Sequence, residues 1–493
     1  MKAGKAFLFV LTGLVMQGVA SADYRAGEVL VKYKDDSFRV MDNTNRLYES
    51  VGVANVGHYT GVLKNFEKLV LKKGVSVQQA VAELEKSGMV EYAQPNYILS
   101  IPEKDMVKHA NAGGKMPCIP GMEIPGCDKG GGGGGNGGKP PCIFPGVPYP
   151  PGCQDTGNPG DPSQPPTDPS QPTPPASGRP TLGSAPAEVI PAQADPDLAK
   201  VYGMSKIQAV EAWKVFRGSK NFIVADIDTG IDYNHDDISF NVWRNAKPTR
   251  DDVVGFDFIH NDGLPFDDQG HGTHTAGTIG AVGGNGIGVS GVAQQISIMA
   301  LKFLSAEGSG TTGDAIKAID YAITHGAKVL SNSWGGKGDD GNKALSDAVE
   351  RARAADVLFV AAAGNDGTDN DGSDPAYPAA FTNDNMLTVA ATDDKDDLAF
   401  FSNYGKKTTH VAAPGVNVYS LAPGNKYATH SGTSMACPHV AGAAALIWSK
   451  KPSMTYKEVK DILMKTADSL PALQGKTVTG GRINVLRALR SME

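Results

Sequence analysis

The sequence is short of the features that mark several whole classes of protein. Cysteine is scarce, with five in 493 residues. Four of them, Cys118, Cys127, Cys142 and Cys153, crowd into one region, and Cys437 stands alone far downstream. No spacing among the four has the tight C-x-x-C form, which weakens a four-thiolate metal centre as the rival to local disulfides. A strong charge of one sign is also missing. The net charge of -7 is too mild, and of the wrong sign, for nucleic acid as the main partner. Long apolar runs are absent after residue 22, so no transmembrane helix or other membrane anchor is expected. The stretch AFLFVLTGLVM (6–16) is itself too short to span a bilayer. Lys2 and Lys5 precede it and the small residues ASA (20–22) follow it. That pattern predicts a secretory signal over 1–22, the alternative being a short buried helix. No cysteine follows the cleavage pattern, so a lipoprotein anchor is not indicated. The expected location is outside the cytoplasm, extracellular or periplasmic, where disulfides persist.

What is present divides the chain into segments. Residues 23–102 read as a small unit. EVLVKYK (28–34) alternates like a half-buried strand, and LKNFEKLVLKK (63–73) resembles another. SVQQAVAELEKSG (76–88) places Val77, Ala80, Val81 and Leu84 at helical spacing, between a serine cap and a glycine stop. MVEYAQPNYIL (89–99) is a final strand. Strand, helix, strand, strand, helix, strand predicts a small ferredoxin-like α+β fold. Residues 103–196 are dominated by glycine and proline, with a glycine run at 130–135 and a doubled DPSQP. Such a stretch buries too little apolar surface to offset its ordering entropy and reads as a linker. Inside it, PCIPGMEIPGC (117–127) and PPCIFPGVPYPPGC (140–153) each place a cysteine near either end of a Pro/Gly loop. Local pairs Cys118–Cys127 and Cys142–Cys153 are expected, one of three possible pairings.

From 197 to 493 the composition is globular. Apolar runs such as NFIVADID (221–228), ISIMALKFL (296–304), VLFVAAAGN (357–365) and MLTVAAT (386–392) alternate with helical patterns such as 312–326 and 342–356. Unbroken apolar strands suit a sheet covered on both faces. The fold class expected is α/β, a mostly parallel sheet with helices on both sides. Reactive groups in such sheets gather at the carboxyl ends of the strands.

Three stretches fall where strand ends should be. VADIDTGID (224–232) carries Asp226, Asp228 and Asp232. DDQGHGTHTAGTIG (267–280) carries His271 and His274. HSGTSMACPHVAG (430–442) carries Ser434 and Cys437, either of which could be a nucleophile, together with His439. An acyl-transfer site needs a weak nucleophile, a base to take its proton and a carboxylate to hold that base in one tautomer. Each residue alone has a plainer reading: a turn aspartate, a helix cap, a core histidine.

The three motifs together, in the order Asp, His, Ser, resemble the subtilisin-like serine protease family over about 200–490. DIDTGID, GHGTHTAGTIG and GTSMACPHVAGAAAL carry the likeness. The resemblance implies Asp228 as orienting carboxylate, His271 as general base and Ser434 as nucleophile. It leaves Cys437 a buried small hydrophobe. VAAAGNDG (360–367) resembles the segment that supplies the family's oxyanion asparagine, here Asn365, which otherwise reads as a turn residue. Gly308, Ser309 and Gly310 in EGSG and Ser333, Trp334 and Gly335 in SWGG resemble the two segments that hold a peptide as an added strand. Ala361 and Gly364 would help form the first pocket, expected to favour apolar or bulky neutral side chains, with Asp366 at its rim able to admit Lys or Arg.

The resemblance also implies calcium as cofactor. Asp237 and the loop VGGNGIGVSG (282–291) resemble a tight calcium site, through Asn285 and the carbonyls of Val282, Ile287 and Val289, although this loop is a residue longer than the common form. Asp257 and Asp262 in DFIHND resemble a second site. Both stretches also read as solvated acidic turns. The N-terminal unit resembles the inhibitory prodomain of the family, cut away near 102–112 or near 190–200. The function implied is a secreted, self-processing endopeptidase, a monomer acting on proteins and peptides with its own prodomain as inhibitor. The alternatives are a silent binding protein on the same fold, or an esterase.

Overall fold

The computed structural model describes residues 23–34, 41–59, 63, 65–101, 180, 182–183, 194–338 and 341–493. The expected signal at 1–22, nearly all of the linker and its four cysteines lie outside these residues. Among the described residues, Cys437 is a free, buried thiol, and no helix is long and apolar enough to cross a membrane.

The N-terminal unit runs β1 (Tyr24–Tyr33), α1 (Met41–Val51), β2 (Val53–His58), β3 (Phe66–Leu71), α2 (Val77–Lys86) and β4 (Val90–Ser100). Its strands lie in the order β2-β3-β1-β4 and are antiparallel throughout, the ferredoxin-like arrangement expected. The helix α2 starts where Ser76 accepts a hydrogen bond from Gln79 N, and it buries Val77, Ala80 and Leu84 along one face. Alternation along β1 gives the sheet two apolar sides. Val29, Val31 and Tyr33 join that helix face in one core. Leu30 points the other way, into a core shared with the C-terminal unit.

In the C-terminal unit, α3 (Tyr202–Lys206) and α4 (Ala209–Ala212) lead into β5 (Gly218–Asp228). There follow β6 (Gly255–Asp257), α5 (His271–Gly280), β7 (Gln295–Lys302), β8 (Ser309–Thr311) and α6 (Thr312–Thr324). Next come β9 (Val329–Asn332), α7 (Lys343–Ala354), β10 (Leu358–Ala362), β11 (Met386–Thr392) and β12 (Val411–Pro414). The hairpin β13 (Val418–Ala422) and β14 (Lys426–His430) precedes α8 (Thr433–Lys450). The chain closes with α9 (Tyr456–Lys465), β15 (Asp468–Ser469), β16 (Gly481–Arg482) and α10 (Val485–Arg490). One sheet is ordered β15-β16-β12-β11-β10-β9-β5-β7-β6. All its pairs are parallel except β15 with β16.

Successive residues of the central strands feed two different cores, as a two-residue side-chain period requires. Val224, Ile298 and Val360 face α5 and α8. Ala225, Ile227, Met299, Leu301, Phe359 and Ala361 face α6 and α7. The strands are therefore apolar at every position, and the sheet leaves only its strand ends for polar chemistry. Phe359 is fully buried in the second of these cores. Replacing it with alanine is expected to cost about 3–5 kcal/mol of stability. Denaturant unfolding of that variant in a Ser434→Ala background checks this, and a loss under about 1 kcal/mol would contradict the packing described.

Candidate active site

Asp228, His271, Asn365 and Ser434 lie at or just past the carboxyl ends of β5 and β10 and at the amino ends of α5 and α8. Asp228 is the last residue of β5 and His271 the first of α5. His271 Nδ1 lies 2.8 Å from Asp228 Oδ1 and 3.0 Å from Oδ2. Both side chains are buried. The close approach depends on Gly272, where an added Cβ would stand 2.1 Å from the Gly230 carbonyl oxygen. Asp267 shapes the turn before α5. Its carboxylate accepts from Gln269 N, Gly270 N, Thr273 N and the hydroxyls of Thr229 and Thr273.

Ser434 is the second residue of α8, just past Gly432. Pro438 lies inside this helix and has no N–H to give the carbonyl four residues back. That carbonyl belongs to Ser434, and it accepts instead from Ser333 Oγ at 2.9 Å. Ser434 Oγ in turn donates to the Ser333 carbonyl at 3.1 Å. Asn365 arrives from β10 through Gly364, whose φ of 104° few side chains would tolerate. Asn365 Oδ1 accepts from Thr433 N at 2.9 Å and from Thr433 Oγ1 at 2.8 Å. The amide is thereby fixed end for end, beside the first turn of α8.

Residues 219–483 match the subtilase family. The chain belongs to the subtilase family. Residues 12–96 match the fervidolysin N-terminal prodomain. The chain is 40% identical to thermitase of Thermoactinomyces vulgaris over 292 residues, 59% of this chain and 96% of thermitase. It is 39% identical to subtilisin DY of Bacillus licheniformis over 269 residues, 55% of this chain and 92% of that protein. A thermophilic serine proteinase of Bacillus sp. strain AK1 is 40% identical over 288 residues, 58% of this chain and 66% of its own length. The chain is thus a subtilisin-like serine protease with an N-terminal prodomain.

In this subtilase the two expected peptide-holding segments lie on either side of one extended strand, and that strand is the end of the prodomain. β4 pairs antiparallel with β8, Leu99 opposite Gly310 and Ser100 opposite Ser309. On the other side, Ser100 N donates to Gly335 O at 2.9 Å and Gly335 N to Ser100 O at 3.0 Å. Ile101 N donates to Gly308 O at 2.9 Å. Trp334 and Ala361 do not line this groove with their side chains. Trp334 is buried and donates its indole N–H to Ile227 O at 2.7 Å. Ala361 points into the α6 and α7 core.

The remaining polar residues of the three motifs are accounted for by local bonds. Asp232 accepts from Asn234 N and Gly424 N and orders its turn. His274 Nε2 meets the Val418 carbonyl at 3.1 Å, and burial pushes its pKa well down. His439 Nδ1 meets the Met435 carbonyl at 2.8 Å, with a pKa lowered by burial to about 4. Burial raises the Cys437 thiol to about 12, which keeps it protonated and a poor nucleophile.

The first acidic loop is built around two buried carboxylates. Asp237 Oδ2 accepts from Val289 N at 2.8 Å, and its Oδ1 lies 2.8 Å from the Asn285 amide nitrogen. The second carboxylate, Asp195, escaped the sequence reading because it sits at the edge of the Pro/Gly linker. It accepts from Gly284 N, Asn285 N and the Ser290 hydroxyl. Burial, with Asp195 close by, raises the Asp237 pKa to about 7. Asp257 is different. Its carboxylate accepts from Ile259 N and His260 N and meets the His260 ring. Its backbone pairs with Asp262, whose Oδ1 accepts from Leu264 N.

Asp226 lies two residues before Asp228 on the same face of β5. It accepts from Thr275 Oγ1 at 2.9 Å, and its Oδ1 has no partner among the described residues. Burial first, then the Asp228 charge, raises its pKa well above the carboxylate range. The unfolded chain releases this proton near pH 4 while the fold retains it. Stability therefore falls as pH rises above about 4, until the folded group ionises. Asp226→Asn removes that penalty. The stability of this variant relative to wild type should rise between pH 4 and pH 8 by about 1 kcal/mol or more. Urea midpoints at the two pH values measure it, and a difference that does not change with pH would show Asp226 ionised in the fold.

Proposed function

We propose that this subtilase is a secreted, monomeric serine endopeptidase made as a self-processing precursor. The observation that carries the reading is the Asp228–His271 hydrogen bond, set close to a groove that already holds an extended strand. Asp228 holds His271 through Nδ1, which fixes the tautomer and leaves Nε2 as the proton acceptor. Ser434 exchanges its bond to the Ser333 carbonyl for one to His271 and attacks the peptide carbonyl. The oxyanion meets Asn365 Nδ2, since Oδ1 is committed to Thr433, and the Ser434 backbone N–H at the start of α8. His271 passes its proton to the leaving amine, an acyl-enzyme remains, and water repeats the sequence.

Substrate would take the path of residues 98–101, held by backbone bonds to Gly308–Gly310 and Gly335. Such bonds tolerate many sequences. Ser333, Gly364 and their neighbours are small, which favours apolar or bulky neutral side chains, with Asp366 able to attract Lys or Arg. The prodomain is read as the inhibitor that fills this path. Its Asn96 Oδ1 accepts from Gly313 N at 2.9 Å and its Gln94 Oε1 from Ala344 N at 2.7 Å. It thereby caps the amino ends of α6 and α7. Ile101 is still bonded within the groove, which supports a first cut near 102–112 over one near 190–200. Export by the 1–22 signal would allow the Cys118–Cys127 and Cys142–Cys153 disulfides in the retained linker.

The intact mass of the secreted protein tests the reading. Wild type and Cys437→Ala are expected to lose the prodomain, while Ser434→Ala stays joined to it. Asn365→Ala should lower kcat about 10²–10³-fold, as loss of such a donor does in subtilisin. Processing of Ser434→Ala to the same mass as wild type would refute self-cleavage. Loss of processing in Cys437→Ala alone would move the chemistry to the thiol.

Calcium is proposed at the first acidic loop. Two buried carboxylates close together, one with a raised pKa, form an oxygen-rich set that a hard cation would relieve. Asp195, Asp237, Asn285 and the carbonyls of Val282, Ile287 and Val289 would hold it, and the ion would cross-link the loop to the body of the enzyme. Asp257 and Asp262 serve their own turn, and no ion is assigned to them. Calcium at about 1,000 times its Kd should add about 4 kcal/mol of stability. Chelation should remove that gain, and Asp195→Asn should make unfolding indifferent to calcium. An unfolding midpoint in wild type that calcium does not move would rule the site out.

A further inference from the structure

The catalytic groups lie at the carboxyl end of β5. Lys220, near the opposite end of this strand, is about 26 Å away, eight residues at about 3.3 Å each. There a cavity of about 390 Å³ opens between β5, the segment 239–244 and β7. Lys220 and Arg244 both line it. Lys220 is held in place, with Nζ donating to Phe240 O at 2.5 Å and to Ile296 O at 3.0 Å. The same nitrogen lies 5.0 Å from the centre of the Phe240 ring. These partners are carbonyls and a ring face, so none of them cancels the charge. Among the described residues no carboxylate acts on either cation. Lys220 is perturbed by burial and by Arg244 alone, and Arg244 by burial alone.

Two like charges facing one half-buried cavity, without a counter-charge among the described residues, are mutually unfavourable. Burial together with Arg244 lowers the Lys220 pKa to about 8, the direction that arrangement requires. The remaining walls include Trp243, Phe240 and Ile223. The volume falls within the range of small-molecule sites and exceeds what a bare carboxylate fills.

The geometry points to a binding site for a small organic carboxylate, its charge between Lys220 and Arg244 and its apolar body against Trp243 and Phe240. An arginine guanidinium receives a carboxylate through two parallel N–H donors. The fixed lysine supplies a point charge opposite. The site is separate from the peptide groove and stands whether or not the proposed catalytic roles do.

Calorimetric titration tests it, using the full chain with Ser434→Ala to prevent self-digestion, at constant ionic strength set with chloride. The probes are benzoate and acetate. Benzoate should bind one to one and saturate, more tightly than acetate. Arg244→Gln should weaken benzoate about tenfold, and Arg244→Lys should lose less. Among the described residues Arg244 makes no ion pair that the Gln variant would break, so the variant should fold. Lys220→Met supplies a second, independent loss. No saturable binding to the unmodified site, or equal affinity in Arg244→Gln, would overturn the assignment. Equal affinity for benzoate and acetate would overturn the role given to the aromatic wall.

Discussion

The structure depends on a strand buried on both faces that ends in an ionisable residue. β5 sends alternate side chains into two separate cores, so it cannot shift by one residue without exposing one set and misplacing the other. That constraint fixes Asp228 at the strand end with little freedom. His271 is fixed against it because α5 begins at the same edge and Gly272 leaves no gap. Ser434 is fixed because α8 packs against both the central strands and α5. The pair Asp228–His271 is therefore a product of packing, and its short hydrogen bond follows from two rigid elements meeting.

The same edge explains how the prodomain fits. The groove between Gly308–Gly310 and Gly335 presents backbone donors and acceptors with no strand of its own to pair them. A chain segment with the right spacing completes the ladder, and β4 has it. The contact extends beyond the groove: Gln94 and Asn96 take up N–H groups at two helix starts, and Lys32 pairs with Asp347 on α7. Leu30, Tyr59 and Leu99 join the core beneath α6 and α7. One face of a small antiparallel sheet thus serves its own fold, and the other serves the enzyme.

Polar groups near the site divide according to whether burial leaves them a partner. Asp267 is buried but accepts from backbone and hydroxyl donors around its turn. Asp226 is buried with half its carboxylate unmatched, beside a second acid on the same strand face. Burial first, then Coulomb repulsion from its neighbour, holds the Asp226 carboxyl in its protonated form well above the usual carboxylate range. Lys220 and Arg244 show the opposite case at the far end of the sheet, two cations with no acid between them among the described residues.

Much of this could be read from residues alone. The apolar runs foretold a sheet covered on both faces, because no other arrangement buries every residue of a strand. The prodomain's element order followed from two periodicities, two and 3.6, written in short segments. The motifs at 228, 271, 365 and 434 were visible because each needs glycine and small residues around it for backbone to approach. Only the tertiary structure decided the rest. Asp195 was hidden, because composition averaged over a Pro/Gly stretch cannot show that its last residues fold back on a loop ninety residues on. Trp334 and Ala361 belong to the expected groove by sequence position, yet the pleat of β10 turns Ala361 inward and the Trp334 indole is buried against the Ile227 carbonyl. The Ser333–Ser434 exchange arises from a missing proline N–H inside a helix, and its partner comes from the segment just past β9. Local pattern settles which elements form and which faces are apolar; distance across the fold settles which polar atoms meet.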